Sequence, residues 1–154
     1  MPRRRVIFHI DVNSAFLSWT AVQLLKDGHQ DIRLLPSVVS GDPNDRRSIV
    51  TAASIPAKKI GIRTAEPVSM ALRKYPGLIV VKGDWEWYRQ CSEGFIDICR
   101  KYSPVLQQFS IDECFIDMTL RNWGEDPVDV ATRLKDEIRS SLGFTVNVGI
   151  GSNK

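Results

Sequence analysis

The sequence predicts an α+β fold: an antiparallel or mixed sheet with helices on one face, plus a small inserted subdomain. Three observations carry that expectation. Val6-Ile7-Phe8-His9-Ile10 is nearly unbroken in apolarity, as in a strand buried on both faces at the middle of a sheet. Val105 to Phe109 and Cys114 to Met118 are two strand-like runs flanking Ser110-Ile111-Asp112-Glu113, which reads as a hairpin turn. Between them, apolar residues recur at helical spacing, interrupted by a polar, basic segment of different texture.

In chain order, the first strand stops at Asp11. Asn13 and Ser14 can cap a helix whose stripe is Phe16, Trp19, Val22 and Leu25, and Gly28 ends it. Leu34 to Val39 and Ser48 to Ala53 read as short strands joined by the loop Ser40 to Arg47. Pro56 opens a short helix holding Lys58 and Lys59 and closed by Gly61; another starts near Pro67 and ends at Pro76-Gly77. Leu78 to Val81 reads as a buried strand. Trp85, Tyr88, Cys91, Phe95, Ile98 and Tyr102 mark one face of a long helix. After the hairpin and Asn122-Trp123-Gly124, Asp126-Pro127 starts a helix with the stripe Ala131, Leu134, Ile138 and Leu142, capped at Gly143. Phe144 to Ile150 is the last strand. Setting residues 28–77 aside leaves strand, helix, strand, helix, strand, strand, helix, strand. This assigns 1–27 and 78–154 to the main body and 28–77 to an inserted subdomain.

With 154 residues, 43% hydrophobic and 25% charged, the chain has the composition of a globular protein with a full core. No apolar run approaches the roughly 18 residues of a membrane span, and the few apolar residues after Met1-Pro2-Arg3-Arg4-Arg5 are too short for a signal-peptide core. Three cysteines without CxxC spacing argue against a disulfide framework or zinc cluster, so a reducing, cytoplasmic setting is expected. The net charge is +3, yet Gly28 to Leu78 alone holds eight basic residues against four acidic ones. That suits a polyanionic partner, and equally a solvated face.

The chemistry is in the acids. Adjacent carboxylates repel, and partial burial raises the cost unless a cation or donor offsets it. Taken alone, Asp112 and Glu113 could decorate an exposed turn, and Asp11 could be a helix N-terminal acid. If the strand end at Asp11 neighbours the hairpin, the three would suit Mg²⁺, a hard cation taking carboxylates plus phosphate oxygens. Two ions could then serve an attacking hydroxyl and a leaving phosphate. Side chains alternate on a regular strand, so Asp112 and Glu113 converge only if the turn bends the backbone. Asp117 lies downstream and reads as structural. His9 is expected in the buried strand, His29 in a surface turn, and the four tryptophans as packing residues.

His9 to Phe16, Ala57 to Ile62 and Ser110 to Asp117 come in the order seen in Y-family, translesion-type DNA polymerases, and Val148 to Lys154 resembles the start of a further motif. The chain thus resembles the UmuC-like (ImpB/MucB/SamB) domain from Val6 onward. That resemblance implies a polymerase palm at 1–27 and 78–154 with inserted fingers at 28–77. It implies Asp11, Asp112, Glu113 and the Val12 carbonyl as metal ligands, with two Mg²⁺ ions. It implies Phe16 as a steric gate against a ribose 2′-OH, although a core aromatic fits the same position. Lys58 stands where an Arg commonly contacts the incoming triphosphate.

The expected reaction is template-directed nucleotidyl transfer from a dNTP to a primer 3′-OH. The expected partners are primer–template DNA and a dNTP, with a sliding clamp reached through C-terminal regions absent from this chain. Ile55 and Ala52 replace a Tyr and a Thr common in the family, and Ile cannot donate a hydrogen bond. The thumb and little finger are also absent, so the chain reads as an N-terminal piece with little or no activity alone. A non-catalytic DNA-binding module on the same fold is the alternative. Nucleotide cyclisation on a related sheet fits the basic insertion and Phe16 poorly.

Overall fold

A computed structural model describes residues 4–45, 47–120 and 124–154. Met1 to Arg3, Arg46 and Arg121 to Trp123 therefore lie outside the described residues. The chain divides into two compact units, Met1–Asn13 with Arg89–Lys154, and Ser14–Tyr88.

The first unit is built on a four-stranded sheet of β1 (Ile7–Val12), β5 (Leu106–Ser110), β6 (Glu113–Asp117) and β7 (Val146–Gly151), in the order β5-β6-β1-β7. Every pairing is antiparallel. Phe8, Ile10 and Val12 of β1, Cys114 and Ile116 of β6 and Val146 of β7 are buried. Their register partners lie on the same face, as the two-residue period of a strand requires. The buried residues of α4 (Trp85–Tyr102) and α5 (Pro127–Leu142) supply the rest of this core, among them Phe95, Ile98, Cys99, Leu134 and Ile138.

The ends of these helices follow the expected chemistry. The Asp126 carboxylate accepts from the Val128 N–H at 2.8 Å, and Gly143 takes φ 83° to close α5. Two hydroxyls tie α4 and the residue just after it to the hairpin: Ser92 donates to the Ile111 carbonyl and Ser103 to the Asp117 carbonyl, each at 2.6 Å. α4 and α5 meet at Gly94, where an added Cβ would stand 3.3 Å from a Leu142 methyl.

β1 is central, as expected, but its second face, buried at Ile7, opens at His9 and Asp11. His9 and Asp11 alternate with the buried residues and are partly exposed. The strand buried along its whole length is β2 (Ser37–Ser40), in the second unit. There β3 (Val50–Ala53), β2 and β4 (Ile79–Lys82) form a mixed sheet in that order, β2 antiparallel to β3 and parallel to β4. Val38 packs with Val50, Ala57 of α2 (Ile55–Lys59), Ile62, Val68 and Ala71 of α3 (Val68–Lys74), and Leu78. On the other face Val39 packs with Ile32 and with Leu17 and Ala21 of α1 (Ala15–Lys26).

Two features of the expected organisation are thereby corrected. The strand after Leu78 pairs with β2 and not with the first sheet, and α1 packs on the second sheet. The compact unit that contains residues 28–77 runs from Ser14 to Tyr88. A parallel pair needs a long crossover, and β3, α2 and α3 provide one between β2 and β4. The cap of α1 also differs. Ser14 adopts a left-handed conformation, φ 43°, without a side-chain cap, and the Asn13 amide donates to Thr145 Oγ1 at 2.9 Å.

Phe8 is fully buried at the centre of the first core. Phe8→Ala is expected to cost about 3–5 kcal/mol, whereas Gln107→Ala on the exposed part of β5 should fall within about 0.5 kcal/mol. Denaturant unfolding of the two variants checks the asymmetry.

Candidate metal centre

The register of β1 against β6 sets Asp11 directly opposite Glu113. Cross-strand partners share a face, so both acids stand on the side of the sheet opposite Phe8, Ile10 and Cys114. Asp112 joins them through the turn. Ser110 pairs with Glu113, leaving Ile111-Asp112 as a two-residue turn, and the ladder shifts register between Gln108 and Ser110. A bulge there increases local twist and re-aims the side chains that follow it. The backbone therefore bends where convergence of Asp112 with Glu113 requires it. The Val12 N–H donates to the Asp112 carbonyl at 2.9 Å, tying the turn to the end of β1.

Carboxylate oxygens of Asp11, Asp112 and Glu113 lie within 4.8 Å of one another. The donor set is all oxygen and all anionic, which suits a hard divalent cation and not a soft one. Burial, then the charges of Asp112 and Glu113, push the Asp11 carboxyl above the usual aspartate range, and His9 pulls the other way. Ser110 Oγ lies 2.8 Å from Asp112 Oδ1 and 3.2 Å from Glu113 Oε2, and His9 Nε2 lies 2.9 Å from Glu113 Oε1.

His9 is the residue that sequence reasoning misplaced. It stands on the open face, its ring stacked on Phe115 at 4.7 Å, and not in the buried strand interior. The signal was its position two residues before Asp11, which puts both on one face of a strand. Asp117 is not part of the acidic cluster. It caps the strand end by accepting from the Thr119 N–H at 3.0 Å, and hydrogen bonding from Thr119 holds its carboxyl below the usual range.

The remaining candidates lie in the second unit. Phe16, in the first turn of α1, makes edge or tilted contacts with Trp19, Trp85 and Tyr88 at 5.1–6.1 Å. Trp19 is fully buried there, whereas Trp85 is 67% exposed. Lys58 and Ile55 are exposed on α2, three residues apart on one helical face, and Ile55 is 65% exposed. Of the basic residues in this unit, Arg33, Arg47 and Lys74 are paired with Asp31, Asp45 and Glu66, while Lys58, Lys59, Arg63 and Arg73 are exposed.

Residues 10–154 match the sequence model of the impB/mucB/samB family. The chain belongs to that family. Among impB/mucB/samB relatives, it is 47% identical over 151 residues to a DNA polymerase IV of Clostridium acetobutylicum, covering 97% of this chain and 38% of that protein. It is 35% identical over 150 residues to a DNA polymerase IV of Alkaliphilus oremlandii, covering 97% of this chain and 36% of that one. The chain thus spans less than two-fifths of the length of these curated relatives.

Solved structures agree on the fold. DinB from Sulfolobus solfataricus superposes with a TM-score of 0.83 at 24% identity, over 97% of this chain and 42% of that one. An insertion ternary complex of Dbh DNA polymerase gives 0.84 at 24% identity, over 97% and 43%. Among the described residues, no helix is long and apolar enough to cross a membrane.

The raised Asp11 has a consequence for stability. Between the ordinary aspartate value and the raised one, the folded chain keeps a proton that the unfolded chain has lost. Stability contributed by that proton falls as pH rises through this window and stays lost above it. Asp11→Asn should therefore raise the melting midpoint at neutral pH without divalent ions. It should also flatten the decline in stability as pH rises above the ordinary aspartate value, read by thermal denaturation from acid to neutral pH.

Proposed function

We propose that this chain is the palm-and-fingers portion of a translesion DNA polymerase, with the Ser14–Tyr88 unit as fingers and the sheet carrying Asp11, Asp112 and Glu113 as palm. The observation that supports it most is the meeting of those three carboxylates on one open sheet face in a member of the impB/mucB/samB family. The reaction is nucleotidyl transfer from a dNTP to a primer 3′-OH, directed by template DNA, with two Mg²⁺ ions as cofactor. Asp11, Asp112 and Glu113 hold the metal, with the Val12 carbonyl as a backbone ligand. When bound, the metal lowers the pKa of the attacking hydroxyl and neutralises charge on the leaving pyrophosphate.

The chain's own side chains do the positioning. Phe16 presents its ring to the sugar and excludes a 2′-OH by bulk, held in place by Trp19, Trp85 and Tyr88. Lys58 meets the triphosphate as a point charge, and Ile55 adds no hydrogen bond beside it. Nucleotide contact at these positions therefore depends on charge more than on shaped donors. Exposed Lys58, Lys59, Arg63 and Arg73 supply the basic side of the fingers, which attracts polyanionic DNA or triphosphate. A sliding clamp, if used, engages parts of a longer polypeptide. The setting is the cytoplasm.

In the complete polypeptide, Asp112→Ala or Glu113→Ala should lower primer extension by about a hundred- to a thousandfold, the scale lost with a main transition-state electrostatic contact. Extension unaffected by either change would remove the metal assignment and favour a non-catalytic DNA-binding module. Phe16→Ala should increase ribonucleotide incorporation relative to deoxyribonucleotide incorporation, with dNTP extension retained. Unchanged sugar discrimination would leave Phe16 as a packing residue only.

A further inference from the structure

We infer that His9 is a positioning residue for the metal site, acting by holding the Glu113 carboxylate in its ligating orientation. The inference rests on the reading of Asp11, Asp112 and Glu113 as metal ligands. Its basis is a count of donors. Ser110 offers one hydroxyl proton and faces two acids, with Asp112 Oδ1 at 2.8 Å and Glu113 Oε2 at 3.2 Å. One hydroxyl proton cannot fully serve both acceptors, and the shorter contact is to Asp112. Among the described residues, Glu113 therefore depends on the other donor within reach, His9 Nε2, 2.9 Å from Oε1. A carboxylate only accepts, so the contact places the proton on Nε2.

The His9 ring is itself held. It stacks on Phe115 with ring centroids 4.7 Å apart and 25° between planes, and Phe115 is its register partner on β6. Across the other ladder its partner is Gly149, which brings no side chain against the imidazole. The geometry gives one donor to each acid of the hairpin: Ser110 to Asp112 and His9 to Glu113. Each carboxylate keeps lone pairs for a cation while its orientation is fixed. Glutamate has three rotatable side-chain bonds, so this restraint matters more for Glu113 than for the shorter acids. Removing partners that orient ligands typically costs about 10–100-fold in metal affinity.

The test is Mn²⁺ binding to this chain, followed by the electron paramagnetic resonance of the free ion, with circular dichroism confirming that each variant folds. His9→Ala should weaken Mn²⁺ binding about tenfold. His9→Gln, whose amide nitrogen sits near the place of Nε2, should recover most of the loss. In a Glu113→Gln background, His9→Ala should cost nothing further, because the residue it acts through is already lost. Asp112→Asn serves as the metal-site control.

If His9→Ala binds Mn²⁺ like the unmodified chain while Asp112→Asn does not bind, the positioning role is overturned and the metal site stands. If His9→Ala weakens binding equally in the Glu113→Gln background, His9 acts by another route and the role is again overturned. If the unmodified chain fails to bind millimolar Mn²⁺, the metal reading fails and the inference falls with it.

Discussion

The register of β1 against β6 is the constraint on which the site depends. It sets Asp11 opposite Glu113 and His9 opposite Phe115, and it turns Ile10 and Cys114 together toward the helices. A slip of one residue would send Asp11 into the apolar core and Phe8 into water, because side chains alternate strictly along a strand. The apolar face thus enforces the geometry of the polar one. Burial of Phe8, Ile10, Ile116 and Val146 against α4 and α5 supplies the free energy, and the acids stand where that packing leaves them.

That arrangement has an electrostatic cost. Three acids within 4.8 Å repel one another, and the strain shows at Asp11, whose carboxyl is pushed up by burial and by its two neighbours. Ser110 and His9 relieve the two hairpin acids through hydrogen bonds, whereas no hydrogen bond reaches the Asp11 carboxylate among the described residues. A cluster kept under such repulsion fits a site completed by a cation, with stability given up for function.

Much of this was legible in the residues. The hairpin, both long helices, the Asp126 and Gly143 caps and the first strand follow from local turn, capping and apolar-run chemistry, which acts over a few residues. Partner choice was less legible. Leu78 to Val81 is four apolar residues, and nothing in them distinguishes pairing with β2 from pairing with β1, since strand partners are chosen by packing across the whole chain. The apolar stripe of α1 shows that the helix is buried without showing against which sheet.

The site divided in the same way. Asp11, Asp112 and Glu113 were candidates because acids in that pattern are costly, and the family resemblance singled them out. Their convergence depended on a bulge at Phe109 that no residue type announced. His9 was hidden inside an apolar run. Reading Val6 to Ile10 as buried on both faces suppressed the period-two alternation that places His9 beside Asp11.

The central claim is that the β1–β6 register builds a divalent-metal site from Asp11, Asp112 and Glu113. Its most direct test is the broadening of backbone amide resonances by substoichiometric Mn²⁺ in nuclear magnetic resonance spectra of this chain. The account predicts that broadening is strongest at Asp11, Val12 and Ser110 to Glu113 and fades along β1 toward Ile7. Broadening centred elsewhere, or spread evenly over exposed acids such as Asp97, Asp129 and Asp136, would contradict it.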